Sequence, residues 1–127
     1  MIGVGTDILE IERIREVVAR QGEPFACRIL TDVELAYCHK HADPIPHIAA
    51  RFSAKESVSK ALGCGIGSKL GWHDMEISHD PSGRPVVRLA PQVAVVFGGP
   101  SIALSISHCR AYVSTVAIIS YSPDASV

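Results

Sequence analysis

His47-Ile48-Ala49-Ala50-Arg51-Phe52-Ser53-Ala54-Lys55-Glu56-Ser57-Val58-Ser59-Lys60-Ala61-Leu62-Gly63 is the stretch around which this chain is organised. Gly63 stands where a glycine commonly closes a helix, so the spacing predicts a helix over 47–62. Its charges do not gather on one outer face. At about 100° per residue, Arg51 and Lys55 fall between Val58 and Leu62 on one side and Ile48 and Phe52 on the other. Two cations four residues apart repel on an isolated helix. An anion shared between them removes that conflict, and a phosphate fits. Glu56 and Lys60 form a second pair at the same spacing, in the favourable order, on another face. A solvated helix with one salt bridge usually accounts for such residues; the apolar residues interleaved among these charges argue against it.

Upstream, residues 2–9 alternate. Ile2, Val4, Thr6 and Ile8 point one way, and Gly3, Gly5, Asp7 and Leu9 the other, as in a strand. Residues 10–20 predict a helix with Ile11, Ile14, Val17 and Val18 as its apolar stripe, stopped by Gly22 and Pro24. Thr31-Asp32-Val33-Glu34 has capping-box spacing and predicts a second helix over 32–39. Residues 42–46, with two prolines, read as a loop. Downstream, apolar runs at 75–78 and 85–89 flank Asp80-Pro81-Ser82-Gly83, a hairpin signal. Residues 91–97 predict a short helix closed by Gly98-Gly99-Pro100, and 102–107 with 112–119 predict two more strands around His108-Cys109-Arg110. The order β-α-α-α-β-β-α-β-β predicts an α+β fold, a mainly antiparallel sheet with helices packed on one side. A single domain over 1–119 and a polar, frayed C-terminal tail over 120–127 are expected.

Length and composition narrow the function. The chain has 127 residues, 47% of them hydrophobic, which excludes disorder and leaves room for one domain. Twelve Lys and Arg against thirteen Asp and Glu give a net charge of −1, so no nucleic acid is expected as partner. No apolar run approaches the roughly 18 residues of a membrane span, and Met1-Ile2-Gly3-Val4-Gly5 lacks the charged lead-in of a signal peptide. A soluble, cytoplasmic protein with no membrane partner is expected. Cys27, Cys38, Cys64 and Cys109 form no CxxC pair and are expected to be reduced and mostly buried. A small domain this apolar is also expected to hide surface in an oligomer.

Few residues are candidates for chemistry. Asp7 sits inside an apolar strand, where a buried carboxylate is costly unless it is paired or binds a cation. Gly3 and Gly5 on the same face leave bare backbone for close approach. Asp7 as a cap for the following helix is the competing reading. Gly63-Cys64-Gly65-Ile66-Gly67-Ser68-Lys69 is not a P-loop, because it follows a helix and lacks Gly-Lys-Ser/Thr, although its backbone amides could contact phosphate. Cys38-His39-Lys40-His41 has no second ligand cluster at zinc-site spacing and reads as a solvated helix end. His108 continues the row Ile102, Leu104, Ile106 at a strand end beside Arg110, as a core-edge or a ligand-facing histidine. No nucleophile elbow is present, so hydrolase chemistry lacks support.

Taken together, these pieces resemble the holo-acyl-carrier-protein synthases, the small bacterial class of 4′-phosphopantetheinyl transferases. Gly3-Val4-Gly5-Thr6-Asp7-Ile8 is similar to the family's first motif, and Arg51-Phe52-Ser53-Ala54-Lys55-Glu56-Ser57-Val58-Ser59-Lys60-Ala61-Leu62-Gly63 to its second and most specific one. Leu30-Thr31 with Glu34, Trp72 with Asp74-Met75-Glu76-Ile77, Gly83 with Pro85, and Ser105-Ile106-Ser107-His108 follow in the family's order. The similarity spans residues 2–119. Cys64 stands where a threonine is common and Ser57 where an alanine is, and neither removes a group the chemistry needs.

The resemblance implies transfer of the 4′-phosphopantetheine arm of coenzyme A to a serine of apo-acyl carrier protein, releasing adenosine 3′,5′-bisphosphate. It implies Mg²⁺ on Asp7 and Glu56, with Asp7, Glu56 and Lys60 as the catalytic residues. Two carboxylates with phosphate oxygens and waters also form the oxygen shell Mg²⁺ prefers. Glu56, directly or through a water, is the candidate acceptor of the serine proton. Coenzyme A would be held by Arg51, Lys55, Lys60, Gly63, Gly65, Pro85 and His108, between subunits of a homotrimer. The acidic carrier protein would dock on Arg13, Arg20 and Arg28. Two rivals stay open: a nucleotide-binding module without the reaction, and a detached domain of a larger synthase.

Overall fold

In the computed structural model, which describes residues 2–123, strands from the two ends of the chain pair with one another. The element order is β1 (Ile2–Glu10), α1 (Ile11–Gln21), α2 (Glu23–Ile29), α3 (Asp32–His39), α4 (Ile45–Ala61), a 3₁₀ turn (Trp72–Asp74), β2 (Met75–His79), β3 (Pro85–Leu89), α5 (Pro91–Val96), β4 (Ser101–His108) and β5 (Tyr112–Ser120). The fold is α+β, and every strand pairing is antiparallel. The expected single sheet is divided in two: β1-β5-β4, with β5 in the centre, and the β2-β3 hairpin. No helix among the described residues is long and apolar enough to cross a membrane.

α4 lies against the inner face of the three-stranded sheet, and two glycines set how close it comes. A Cβ on Gly3 would overlap the Ala61 carbonyl oxygen, and one on Gly5 would overlap the Ser57 oxygen. The contact is finished by hydroxyls. Ser53 Oγ lies 2.9 Å from Thr115 Oγ1, which donates to the Ser53 carbonyl at 3.0 Å, and Ser57 Oγ donates to the Thr115 carbonyl at 3.2 Å. Thr115 is the β5 partner of Asp7. The same contacts therefore hold α4 beside the one carboxylate of β1 that faces inward. The apolar residues of α4 serve two cores: Ile48 joins Ile11, Ile14, Phe25 and Ile29, whereas Val58 joins Leu70, Met75, Ile77 and Ile119.

The alternation in β1 has the predicted sense, with Gly5 buried and Ile2, Val4 and Ile8 outward. Those three side chains are 60–71% exposed. Tyr112, Val116 and Ile118 of β5 extend the same face, so the sheet presents an uncovered apolar surface opposite α4.

Several expectations need correction. α2 was not foreseen: Gly22, at φ 72°, turns the chain, and Pro24 then starts a new helix in its first turn. α4 begins at Ile45 because Pro46 likewise suits a first turn, where no amide partner is needed. β5 includes Ser120, one residue of the expected tail, and residues 124–127 lie outside the described residues. Cys38 is buried and Cys64 half-buried, but Cys27 and Cys109 are exposed, against the expectation of mostly buried thiols. The helix end at Cys38 is not simply solvated, since Cys38 belongs to the core and the His41 ring stacks on His47.

Gly5→Ala is expected to push α4 off the sheet, because the clash is with backbone. The cost should be about 1–3 kcal/mol, the usual range for overpacking. Urea denaturation measures it, and an unchanged midpoint would show that the helix has slack.

Candidate active site

Asp7 emerges from the inner face of β1 against the last turns of α4. It does not cap α1, whose N-cap is Glu10 with no side-chain bond, so the capping alternative falls. Lys60 Nζ donates to the Thr6 carbonyl at 3.0 Å and stands 3.6 Å from Asp7 Oδ1. The expected Glu56–Lys60 ion pair is absent among the described residues, because the lysine turns toward β1. Burial pushes the Glu56 carboxyl above its usual range and the nearby Asp7 charge pushes it further, with Lys60 opposing. Asp7 and Glu56 line one recess of about 370 Å³ with Arg13 and Phe52 on its wall. A second, of about 310 Å³, lies on the Lys60 side of Asp7.

Lys55 does not meet a ligand, which corrects the expectation of an anion shared with Arg51. Its ammonium is fully buried and donates to Glu34 Oε1 at 2.6 Å, the Ile29 carbonyl at 2.8 Å and the Trp72 carbonyl at 3.0 Å. All three protons are used. Glu34 also accepts the amides of Thr31 at 2.9 Å and Ile77 at 2.7 Å. Burial lowers the Lys55 ammonium below its ordinary range, with Glu34 pulling the other way. The anion that relieves the cation pair is the glutamate of the α3 capping box.

Arg51 has the opposite environment. The residue is 3% exposed, and its guanidinium carbon lies 4.2 Å above the centre of the Tyr37 ring. It makes no ion pair among the described residues, and its Nε is buried without a hydrogen-bond partner. Arg51, Pro85 and His108 line one recess of about 220 Å³. Tyr37, His47 and His79 line it too and were not foreseen. Their signal was weak, because single histidines in a helix and at a strand end share no spacing.

The glycine-rich loop stands apart from both recesses. Gly63 donates its amide to Lys60, Cys64 and Gly65 theirs to Ser59, and Gly67 its own to Leu70. These N–H groups are satisfied internally, which corrects the expectation that Gly63 and Gly65 offer theirs to phosphate. Both glycines have positive φ, which is why glycine stands there.

Arg51 and Glu56 point about 140° apart around α4 and lie about 7.5 Å apart along it, by helix geometry. The Arg51 recess shares no lining residue with the Asp7–Glu56 recess. Of the three arginines expected to dock a partner, Arg13 borders the carboxylate recess. Arg20 and Arg28 are exposed, and none of the three makes an ion pair among the described residues. Arg15, by contrast, is held by Asp43 at 2.8 Å and Glu12 at 3.5 Å.

Known proteins share this fold and much of this sequence. Residues 3–116 match the family model of the 4′-phosphopantetheinyl transferase superfamily. The holo-[acyl-carrier-protein] synthase of Chlamydia pneumoniae is 47% identical over 118 residues, which cover 93% of this chain and 96% of that protein. Among solved structures, the synthase of Neisseria meningitidis superposes with a TM-score of 0.89 at 34% identity, covering 95% of this chain and all of that one. The Helicobacter pylori synthase in complex with coenzyme A gives 0.84 at 36% identity, over 94% of this chain and all of that one. The chain belongs to the 4′-phosphopantetheinyl transferase superfamily and, within it, to the holo-[acyl-carrier-protein] synthases. It is an enzyme, a transferase of that class.

Lys55→Met leaves Glu34 charged and buried, and removing one partner of such a pair costs about 3–5 kcal/mol. Replacing both, with Glu34→Leu added, should recover much of that loss in urea denaturation. If the single variant is as stable as the wild type, the pair does not hold α4.

Proposed function

We propose that the chain transfers the 4′-phosphopantetheine arm of coenzyme A to a serine of apo-acyl carrier protein, releasing adenosine 3′,5′-bisphosphate, with Mg²⁺ as cofactor. The observation that carries this is the pair Asp7 and Glu56 on one recess, with Lys60 beside Asp7. The coenzyme A complex of the Helicobacter pylori relative supports the donor. A module that binds nucleotide without reacting would have no use for two carboxylates that repel each other.

The residues fit Mg²⁺. No group of three metal-ligating side chains occurs among the described residues. An ion that keeps several waters and binds one or two carboxylates plus substrate phosphates requires none. Asp7 and Glu56 would hold it; burial and then the Asp7 charge raise the Glu56 carboxyl, and a divalent cation would relieve the repulsion between the two. When bound, it supplies charge stabilisation to the pyrophosphate. The carrier serine oxygen forms a bond to the phosphorus that bears the pantetheine arm, and the bond from that phosphorus to the bridging oxygen breaks. Glu56, directly or through a water, accepts the serine proton. Lys60 adds positive charge beside the transferring group.

Arg51, His108 and Pro85 hold the nucleotide end of coenzyme A, with the unpaired Arg51 guanidinium on a phosphate. One copy turns this recess and the carboxylates to different sides, so each site combines the carboxylates of one copy with the Arg51 recess of the next. A homotrimer covering the apolar face of β1 and β5 provides that arrangement. The carrier docks along α1, where Arg13 borders the carboxylate recess and Arg20 follows two turns later. The cytoplasm, where coenzyme A and carrier proteins meet, is the proposed location.

Mass spectrometry of an apo-carrier incubated with coenzyme A and Mg²⁺ tests the transfer. Asp7→Asn and Glu56→Gln should each abolish most of it without unfolding the chain; near wild-type turnover would remove the carboxylates from the mechanism. Arg51→Ala should weaken coenzyme A binding more than dephospho-coenzyme A binding. Coexpressed with Asp7→Asn, it should restore about a quarter of wild-type transfer, because random mixing leaves that share of shared sites intact. No recovery would place each site within one copy.

Arg13→Glu should raise the KM for the carrier mainly by slowing association, as added salt should in the wild type. Coenzyme A affinity should not change. An unaltered carrier KM with unaltered salt dependence would move docking to another surface.

A further inference from the structure

Tyr37, His47, His79 and His108 line one recess with Arg51, and His41 stacks behind them, a cluster instead of a scatter. The His41 and His47 rings stack with centroids 3.6 Å apart. The Tyr37 ring, which carries the Arg51 guanidinium, has its centroid 5.1 Å from His41, 5.9 Å from His47 and 5.3 Å from His79. His47, His79 and His108 all line the Arg51 recess. One buried guanidinium thus has titratable rings presented to it from α4, from the end of β2 and from the end of β4.

The charges facing these rings are unbalanced. His47 is faced by His41 from the preceding loop, Tyr37 from α3, Arg51 from its own helix and His108 from β4, with Asp43 as the one acidic group. Asp43 is already committed to Arg15, at 2.8 and 3.2 Å, and to the Ile45 amide. His79 is faced by Tyr37 and Arg51, with Asp80 nearby. Asp80 is committed to Ser82 and to the Arg84 amide within its own turn. Burial first, and then the neighbouring positive groups, push both histidines below their ordinary range. In the free protein they stay neutral beside an arginine that lacks an anion.

We propose that His47 and His79 take up protons when a phosphate monoester dianion occupies the Arg51 recess, so that the chain holds such a ligand more tightly in mildly acidic than in alkaline solution. The dianion reverses the balance of charge. It neutralises Arg51 and leaves a negative charge facing two imidazoles, each of which then gains a charge-assisted hydrogen bond by protonation. A phosphodiester, with one negative charge, has less to offer. The recess thereby selects the monoester end of its ligand. The window is bounded below by the phosphate itself, which becomes a monoanion near pH 6. This rests on the assignment of the recess to the nucleotide end of coenzyme A.

Calorimetric titration of the wild-type protein with coenzyme A at pH 7, in buffers of different ionisation enthalpy, counts the protons bound. At least half a proton should be taken up per site, with dephospho-coenzyme A giving close to none. Affinity for coenzyme A should fall between pH 6.5 and 8 with a slope equal to that number, roughly tenfold per pH unit for a full proton. His47→Gln with His79→Gln should remove the uptake and flatten the pH dependence. Binding that depends on Arg51 but takes up no protons overturns the inference and leaves the site assignment standing. Uptake that survives the double substitution also overturns it, and assigns the protons to His41 or His108. Equal affinity for both ligands, unaffected by Arg51→Ala, overturns the site assignment itself.

Discussion

The buried ion pair between Lys55 and Glu34 is the constraint to which the rest of this structure answers. It is one bond among side chains, but it ties five pieces of backbone together. Through Lys55 it reaches α4, the end of α2 at Ile29 and the turn at Trp72. Through Glu34 it reaches the start of α3 and β2 at Ile77. A charge pair removed from water is weak evidence of net stability, since well-packed apolar residues often do as well. Its effect here is on geometry. Lys55 precedes Glu56 and follows Arg51 by four residues, so any rotation of α4 about its axis that displaced those side chains would also break three hydrogen bonds in a low-dielectric interior.

The opposite side of α4 is fixed by an absence of side chains. Gly3 and Gly5 admit the helix until backbone meets backbone, and the serine–threonine contacts at Thr115 hold it there. Asp7 is then held beside the end of α4, where Lys60 reaches back to the Thr6 carbonyl. The same sheet leaves Ile2, Val4 and Ile8 on its outer face, uncovered by any element of the described chain. Exposed apolar surface of this kind marks association more often than solvation. It also agrees with two recesses beside one helix that share no lining residue.

Much of this was legible in the sequence because it is local. The capping box at Thr31 and Glu34 starts α3 where its spacing requires, and the turn at Asp80–Gly83 joins the two strands that flank it. Asp7 stood out because a carboxylate in an apolar strand has a cost that something must offset. The errors were of a different kind. α2 was missed because Gly22 and Pro24 stop one helix and begin another with the same residues. Lys55 was misplaced because the residue that neutralises it lies 21 positions away, and Glu34 already had a sufficient local reason to exist. The histidines around Tyr37 were invisible because they come from segments with no common period.

The three basic residues of α4 show how burial sorts cations that a sequence presents alike. Lys55 is buried with an anion supplied by the chain, so its charge is spent on structure. Lys60 is half exposed and shares its charge between a carbonyl and a carboxylate, which leaves it free to exchange one partner for another. Arg51 is nearly as buried as Lys55 but has an aromatic face beneath it and, among the described residues, no ion pair. A guanidinium keeps its charge where a lysine would surrender a proton, and its planar fork suits a phosphate. An arginine can therefore remain charged in such a place without a partner from its own chain. The cation with the least internal satisfaction is therefore the one that this fold leaves able to take an anion from outside the chain.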